Sequence, residues 1–272
     1  MLTLLPTPIG NLEDITFRAL RALEQCSVVL CEDTRVAKRL LQLLAQKFSL
    51  EFGQKRFISL HEHNQNAFLA KLEPSFFSQD VVYMSDAGMP GISDPGAKLV
   101  AYAQEHNIPY TVLPGPSAFV TAYVASGFGQ KEFCFYGFLP HKGQERSQSL
   151  QKILQNSHNV ILYEAPHRLL KLLEEITQID PSRDLFLAKE LTKIHEKFYK
   201  GEAKDLFEQL KNENIKGEWV VVVRASQQKQ EQLCLGVEDL LALSLPKKEL
   251  AKLLAKVSEK SVKEWYSILT KS

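Results

Sequence analysis

Hydrophobic and polar positions along this chain alternate between two rhythms. Short apolar runs without strict alternation occur at Leu2–Leu5, 27–30, 57–60, Val81–Met84 and 111–113. Such runs predict strands buried on both faces, as in a sheet covered by helices. Helical spacing between them predicts helices over 14–25, 36–46, 66–72 and 95–106. The first half therefore reads as a doubly wound α/β unit. After Gly115 the rhythm restarts: helix 117–125, strand Phe133–Phe138, helix 147–154, strand 160–163, helix 167–176, strand 185–188, helix Ala203–Leu210 and strand Trp219–Val223. From Ser226 the composition turns to Gln, Lys and Glu, followed by amphipathic stretches at 247–257 and 262–269. The organisation expected is an α/β domain over 1–115, a second over 116–225 and a helical extension over 226–272.

At 272 residues, with 44% hydrophobic and 24% charged residues, the chain has the composition of a folded globular protein. A net charge of +1 gives no global signature of a nucleic-acid binder. The stretch 246–272 differs, with seven Lys against three Glu, a local charge of +4 suited either to phosphate or to an ordinary solvated face. Cys26, Cys31, Cys134 and Cys234 form no CxxC pair and no zinc spacing, which points to reduced thiols in a reducing compartment. The segment MLTLLPTPIGN has no positive leader and is broken by Pro6, Pro8 and Gly10, and no later stretch reads as a bilayer span. A cytoplasmic, membrane-free location is the expectation.

In open α/β sheets ligands sit beyond the carboxyl ends of the strands, so the residues following each strand carry the chemical information. Here they are Pro6–Asn11, 32–35, 61–64, 85–96 and 114–117, with 163–168 and 189–193 in the second half. The 85–96 loop combines three glycines with Asp86 and Asp94, letting backbone groups approach a flat polar ligand. Neither GxGxxG nor GxxxxGK[ST] is present, which disfavours nicotinamide and nucleoside-triphosphate chemistry. His61 and His63, taken as alternating strand residues, point the same way without a third ligand, so no metal is expected. Asp33 or Thr34 suits a helix N-cap, while Arg35 suits an RNA phosphate and Glu32 or Asp33 a hydroxyl proton. Phe138, His141, Lys142 and Arg146 offer an aromatic and basic groups for a base or phosphate, or form a solvated loop.

Taken in order, PTPIGNLEDIT, CEDTR, HEHN, SDAGMPGISDPG, PGPSA, ASGF, FYGFLPHK, YEAPHR, KELTKIHE and GEWVVVV resemble the ribosomal small subunit methyltransferase I family, a branch of the tetrapyrrole methylase superfamily. The match runs from Pro6 to about Arg224. It implies two α/β domains with S-adenosylmethionine in the cleft between them, a homodimer, and 2′-O-methylation of a decoding-site cytidine in 16S ribosomal RNA of the small subunit. By the same resemblance, Pro8, Ser85, Asp86, Ala87, Gly88, Ile92 and Ser93 line the cofactor. Pro114, Gly115, Ser117, Pro166 and Leu191 complete that set. PTPIGN replaces a glycine-richer first loop associated with tetrapyrrole substrates, which favours RNA over a porphyrin-like ring. Lys189 stands where the family more often has arginine, keeping the charge but losing the planar fork.

The reaction expected is an in-line attack of a ribose 2′-oxygen on a sulfonium methyl, with the protein orienting the groups and helping to remove the hydroxyl proton. Glu32, Asp33, Arg35, His63 and Asp86 are the candidates on one wall. Glu164, His167, Arg168 and Glu190 are those opposite, and none is singled out as the base. Two rivals stand beside this reading: a tetrapyrrole or other small-molecule methyltransferase on the same scaffold, and a non-catalytic ribosome-assembly factor.

Overall fold

The computed structural model describes residues 1–226 and 236–271. The chain divides into two compact units, Met1–Gln227 and Gln228–Ser272. In the larger unit β1 (Leu2–Leu5), β2 (Val28–Cys31), β3 (Arg56–Ser59), β4 (Val81–Met84) and β5 (Tyr110–Val112) form one sheet in the order β3-β2-β4-β1-β5. Every pairing in it is parallel.

In β1, β2 and β4 the unalternating apolar runs have the cause anticipated, while β3 and β5 are edge strands and only partly covered. Val29, Cys31, Val82 and Met84 pack with α1 (Phe17–Gln25) and α2 (Thr34–Phe48) on one face. Val28, Leu30, Val81 and Tyr83 pack on the other face with α4 (Gly96–Glu105), and α3 (Gln65–Leu69) adds Phe68 there. Each fully buried side chain of this size contributes about 1.5–3 kcal/mol of transfer free energy.

The second sheet runs β6-β7-β10-β8-β9, from β6 (Phe133–Phe138), β7 (Asn159–Glu164), β8 (Asp184–Lys189), β9 (Lys197–Glu202) and β10 (Trp219–Val223). Alternate residues again divide between two cores. Val160, Leu162, Leu185, Leu187, Val221 and Val223 meet α7 (Pro166–Ile179) and α8 (Ala203–Leu210), and α6 (Gly143–Leu154) covers the same face. Ile161, Phe186, Ala188, Val220 and Val222 meet α5 (Ala118–Ser126).

The α/β class stands, with differences in detail. Only β6 and β7 are parallel; β10 is antiparallel to both β7 and β8, and β8 to β9. Strand β9 escaped the hydrophobic pattern because it is an edge strand in which Tyr199 alone is buried, the charged neighbours guarding the free edge. The first helix starts at Phe17 rather than near residue 14, because Asn11 caps a 3-10 turn at Leu12–Asp14 and Thr16 Oγ1 then accepts from Ala19 N–H at 3.1 Å. β3 ends at Ser59, so His61 and His63 stand in a turn with their rings edge-on at 5.9 Å and do not alternate on a strand. Cys26, Cys31 and Cys134 are free thiols, and burial pushes Cys31 up to about 12; Cys234 lies outside the described residues.

The smaller unit packs Leu240, Leu250, Ala251, Leu254 and Trp265 from α9 (Val237–Leu241), α10 (Lys247–Leu254) and α11 (Val262–Lys271). Ser261 and Glu264 cap α11 reciprocally: Ser261 N–H donates to Glu264 at 2.7 Å, and Glu264 N–H to Ser261 Oγ at 3.4 Å. The beginning of the expected extension, 227–235, lies outside the described residues.

Candidate active site

β1 and β4 are neighbours in the parallel sheet, yet the chain leaves them in opposite directions. From β1 it crosses through α1 to β2, and from β4 through α4 to β5 on the other side. Their carboxyl ends therefore open a crevice at the point where strand order reverses, the preferred ligand position in such sheets. The two loops are joined there. Thr7 N–H donates to Gly88 O at 3.0 Å and Gly88 N–H returns to Thr7 O at 3.1 Å. Thr7 Oγ1 donates to Ser85 O at 3.3 Å, and Ser85 Oγ to Gly88 O at 3.2 Å. Gly88 adopts φ +80°, and a Cβ there would lie 3.2 Å from Ile9 Cγ2.

Asp94 organises the rest of the 85–96 loop. It accepts from Tyr83 Oη at 2.8 Å, Gly91 N–H at 2.9 Å and Gly96 N–H at 2.8 Å. Burial, reinforced by Asp94, pushes the Tyr83 hydroxyl far above its ordinary range, so it remains a donor. Gly96 is sterically required: a Cβ would stand 2.7 Å from Gly91 N.

Beyond β2, hydrogen bonds tie the Glu32–Asp33 segment to Asp86 across the sheet end. Asp86 N–H donates to Glu32 Oε1 at 3.1 Å, and Asp33 N–H donates to Asp86 Oδ1 at 3.3 Å. Burial raises the carboxyls of both Glu32 and Asp86 above the usual range. Asp33 behaves oppositely. It caps α2 by accepting from Arg35 N–H at 2.8 Å and pairs with the Arg35 guanidinium at 2.6 Å, which holds its carboxyl well below the usual range.

The opposing wall comes from the second sheet. Glu164 is 2% exposed; its Oε1 accepts from Ala165 N–H at 2.9 Å and lies 3.0 Å from Arg168 Nε, while Oε2 lies 3.7 Å from Arg146 Nη1. Burial raises its carboxyl despite both guanidiniums. Arg146, offered by the sequence as a basic group for ligand, is 3% exposed and bound to Glu175 at 2.8 Å. Beyond β8, Glu190 and Thr192 both adopt left-handed backbone, φ 53° and 62°, on either side of Leu191. Left-handed conformation is a real outlier for a β-branched residue, and strain of this kind gathers at functional sites. Asn11 N–H donates to Thr192 Oγ1 at 3.0 Å, and a Cβ on Gly10 would fall 2.8 Å from Leu191 O, so the two walls touch here.

Between the walls lies a cavity of about 430 Å³, within the roughly 300–1,000 Å³ usual for small-molecule sites. Of the residues singled out for cofactor, Ser85, Ala87, Gly88, Ile92 and Ser93 line it from one side, and Ser117, Pro166 and Leu191 from the other. Glu32 and Glu164 line it as well. Asp86 is hydrogen-bonded to Glu32, Pro8 is buried in its loop and exposed Gly115 lies against Pro6; these and exposed Pro114 are outside the lining. Asp33, Arg35, His63, His167, Arg168 and Glu190 are also outside the lining. His63 and His167 are exposed, Arg168 is committed to Glu164 and the Leu139 carbonyl, and Glu190 binds Lys193 and the Glu218 amide. For Glu190 burial opposes ionisation, but that amide and Lys193 outweigh it and leave the carboxyl below the usual range.

Sequence reasoning missed Phe119, Ala188, Trp219 and Val220 in the lining, and Ile9 and Met89, though in loops it pointed to, were not singled out. Most of these also belong to the second-sheet core, and no local pattern separates a core face from a cavity face. Among the described residues no group of three or more His, Cys, Asp or Glu is placed to hold a metal ion.

A crevice at a parallel-sheet switch point, closed by a mixed second sheet, defines the class. The family of Tetrapyrrole (Corrin/Porphyrin) Methylases matches residues 1–207, and the chain belongs to it. Within that family it is similar to ribosomal RNA small subunit methyltransferase I of Helicobacter pylori, at 48% identity over 98% of this chain and 96% of the relative. The protein of the same name from Campylobacter fetus is 45% identical over 99% of both. The resemblance drawn from the motifs is thus borne out. Among solved structures, uroporphyrin-III C-methyltransferase from Thermus thermophilus complexed with S-adenosyl homocysteine shares the fold, at a TM-score of 0.55 and 15% identity over 81% of this chain and 96% of its own.

The steric demand at Gly96 generates a test. Gly96→Ala is expected to displace the 85–96 loop and to cost about 1–3 kcal/mol, read as a lower urea midpoint in equilibrium unfolding.

Proposed function

We propose that this chain uses S-adenosylmethionine to methylate 16S ribosomal RNA of the small subunit, at the 2′-oxygen of a decoding-site cytidine. The observation that carries the reading is the mainly apolar, acid-flanked cavity at the β1/β4 switch point, in a chain 48% identical to a ribosomal RNA small subunit methyltransferase I. The residues present fit the cofactor. Apolar side chains suit a flat heterocycle, left-handed backbone at Gly88 and Gly91 opens room for close approach, and the Glu32 carboxylate would offer negative charge to a cationic sulfonium. When bound, S-adenosylmethionine supplies an electrophilic methyl group. We read the two sheets as two α/β domains, 1–115 and 116–225, that share this site, followed by the helical extension 226–272.

The carboxylates divide the labour. Glu164 holds Arg168 and Arg146 in place, so its charge is committed to structure. Glu32 uses Oε1 for the Asp86 amide and leaves Oε2 to accept a hydroxyl proton from substrate. Asp86 and Asp33 position Glu32, and exposed Arg35 is within reach of RNA phosphate from the rim. His63 and His167 stand at the surface as further contacts for RNA, and Glu190 shapes the Leu191 turn. No metal enters this scheme.

A homodimer is part of the reading. Helix α5 is apolar on all sides, yet Val120 is 43% and Val124 75% exposed, and the edge strand β5 exposes Tyr110 and Val112. A helix apolar all round is normally buried, and a second copy supplies the cover. Among the described residues no helix is long and apolar enough to cross a membrane, and the reading places the enzyme in the cytoplasm with the ribosome.

Three outcomes follow. Small subunits from cells lacking the protein are expected to take labelled methyl from S-adenosylmethionine, with mapping to one 2′-O-methylcytidine at the decoding site; label in precorrin-like substrates instead would replace this reading with the small-molecule one. Glu32→Gln is expected to lower kcat/KM roughly 10²–10⁴-fold. In the parent enzyme, because burial raises this carboxyl and the ionised form is the base, activity climbs with pH through a limb above the ordinary glutamate range that the variant lacks. Val124→Glu is expected to yield monomer by light scattering at concentrations where the parent is dimeric.

A further inference from the structure

Strand β6 carries an irregularity with a chemical consequence. Phe133, Cys134 and Phe135 pair in order with Asn159, Val160 and Ile161, but the next partners are Gly137 with Leu162 and Phe138 with Tyr163. Tyr136 is therefore an extra residue, a β-bulge, and Gly137 adopts φ +76° to make it. Among the described residues nothing lies within 4 Å of a Cβ built on Gly137, so the demand for glycine is conformational. In a regular strand Phe135 and Phe138, three residues apart, would face opposite sides. The bulge brings both to Tyr163, with ring centroids 5.0 Å and 5.5 Å away. Bulges beside active sites commonly re-aim a side chain in this way. Here the re-aimed ring is Phe138, which lines the cavity while remaining 56% exposed.

The segment after that ring is held firmly. Arg168 Nη2 donates to Leu139 O at 2.7 Å and Arg146 Nη1 to Pro140 O at 3.1 Å. Both guanidiniums are in turn fixed by carboxylates, Arg168 by Glu164 at 3.0 Å and Arg146 by Glu175 at 2.8 Å. Core packing does not require an exposed phenyl on a braced loop, whereas recognition of a planar ligand gains from one because little side-chain freedom is lost on binding. The next residues, His141 and Lys142, are both exposed and suit a phosphodiester flanking that ligand.

We propose that Phe138 is the platform on which a nucleobase of the RNA substrate stacks at the mouth of the cavity, an assignment that rests on the ribosomal RNA reading above. A base offers a π-face to any aromatic ring, and single-stranded RNA is commonly recognised by such stacking together with backbone contacts from neighbouring cations. The bulge aims the ring, and the Glu164–Arg168 and Glu175–Arg146 pairs keep the following loop in register.

The test uses the full chain and three variants, Phe138→Ala, Phe138→Leu and Phe138→Trp, with two readouts: steady-state methylation of small ribosomal subunits, and calorimetric affinity for S-adenosylhomocysteine. The Ala and Leu variants are expected to lose roughly tenfold or more in kcat/KM for the subunits, mostly through KM, the scale of one lost base stack. Trp restores the value, and affinity for S-adenosylhomocysteine stays at the parent level in all three. A parallel fall in that affinity would assign the ring to the adenine of the cofactor and overturn the proposal. An active parent with an unaffected Ala variant would overturn it while leaving the RNA reading intact. A parent that transfers no methyl to subunits would end both.

Discussion

The parallel pairing of β1 with β4, whose crossovers depart to opposite sides of the sheet, is the constraint on which the rest of the molecule turns. Two adjacent strands that end together but send their chains apart leave a gap at their carboxyl ends. The Thr7–Gly88 bridge keeps that gap narrow enough to define a site, and Asp94 fixes the loop that forms its floor. The second sheet closes the space through the Leu191 turn, and contact at Gly10 and Thr192 joins the two walls.

Buried charge is handled in two ways around this cavity. Glu164 faces two guanidiniums, and removing one member of such a group strands the others at a cost of about 3–5 kcal/mol. That arrangement suits rigidity. Among the described residues Glu32 takes a single backbone amide on one oxygen, so its partly buried carboxyl is raised and the other oxygen can accept. Asp33, one residue later, is drawn down by Arg35 and committed to capping. Neighbouring acidic residues thus acquire different roles from solvent access and partners, although residue type alone made them equivalent.

The chain shares its fold with a uroporphyrin methyltransferase at 15% identity, which illustrates how little architecture says about the methyl acceptor. What differs is supplied by loops and by local irregularities such as the β6 bulge. The left-handed Glu190 and Thr192 turn and the bulge at Gly137 are departures from regular geometry, and both adjoin the cavity. Each exchanges local stability for the direction of one side chain or carbonyl.

The sequence by itself determined the alternation of elements, because burial on both faces leaves an unmistakable apolar run: Leu2–Leu5, Val81–Met84 and Trp219–Val223 are strands to the residue, as is Phe133–Phe138, an aromatic-rich edge strand. It also pointed to the loops after the strands, since Gly, Pro and Asp have local conformational reasons to be there, and of the residues that the family resemblance implied for the cofactor, Ser85, Ala87, Gly88, Ile92, Ser93 and Leu191 line the cavity. Tertiary structure alone decided the antiparallel insertion of β10 between β7 and β8, because register and direction arise from pairing between distant segments. It decided that Arg146 is buried, because Glu175 and Glu164 draw its guanidinium inward, and that Phe138 is exposed at the cavity, because one bulge inverts the face that period-two reasoning assigns. It also separated Ile9, Ala188 and Val220 as cavity wall from the core beside them, because a cavity is space enclosed by remote parts of the chain, and no short stretch of sequence encodes it.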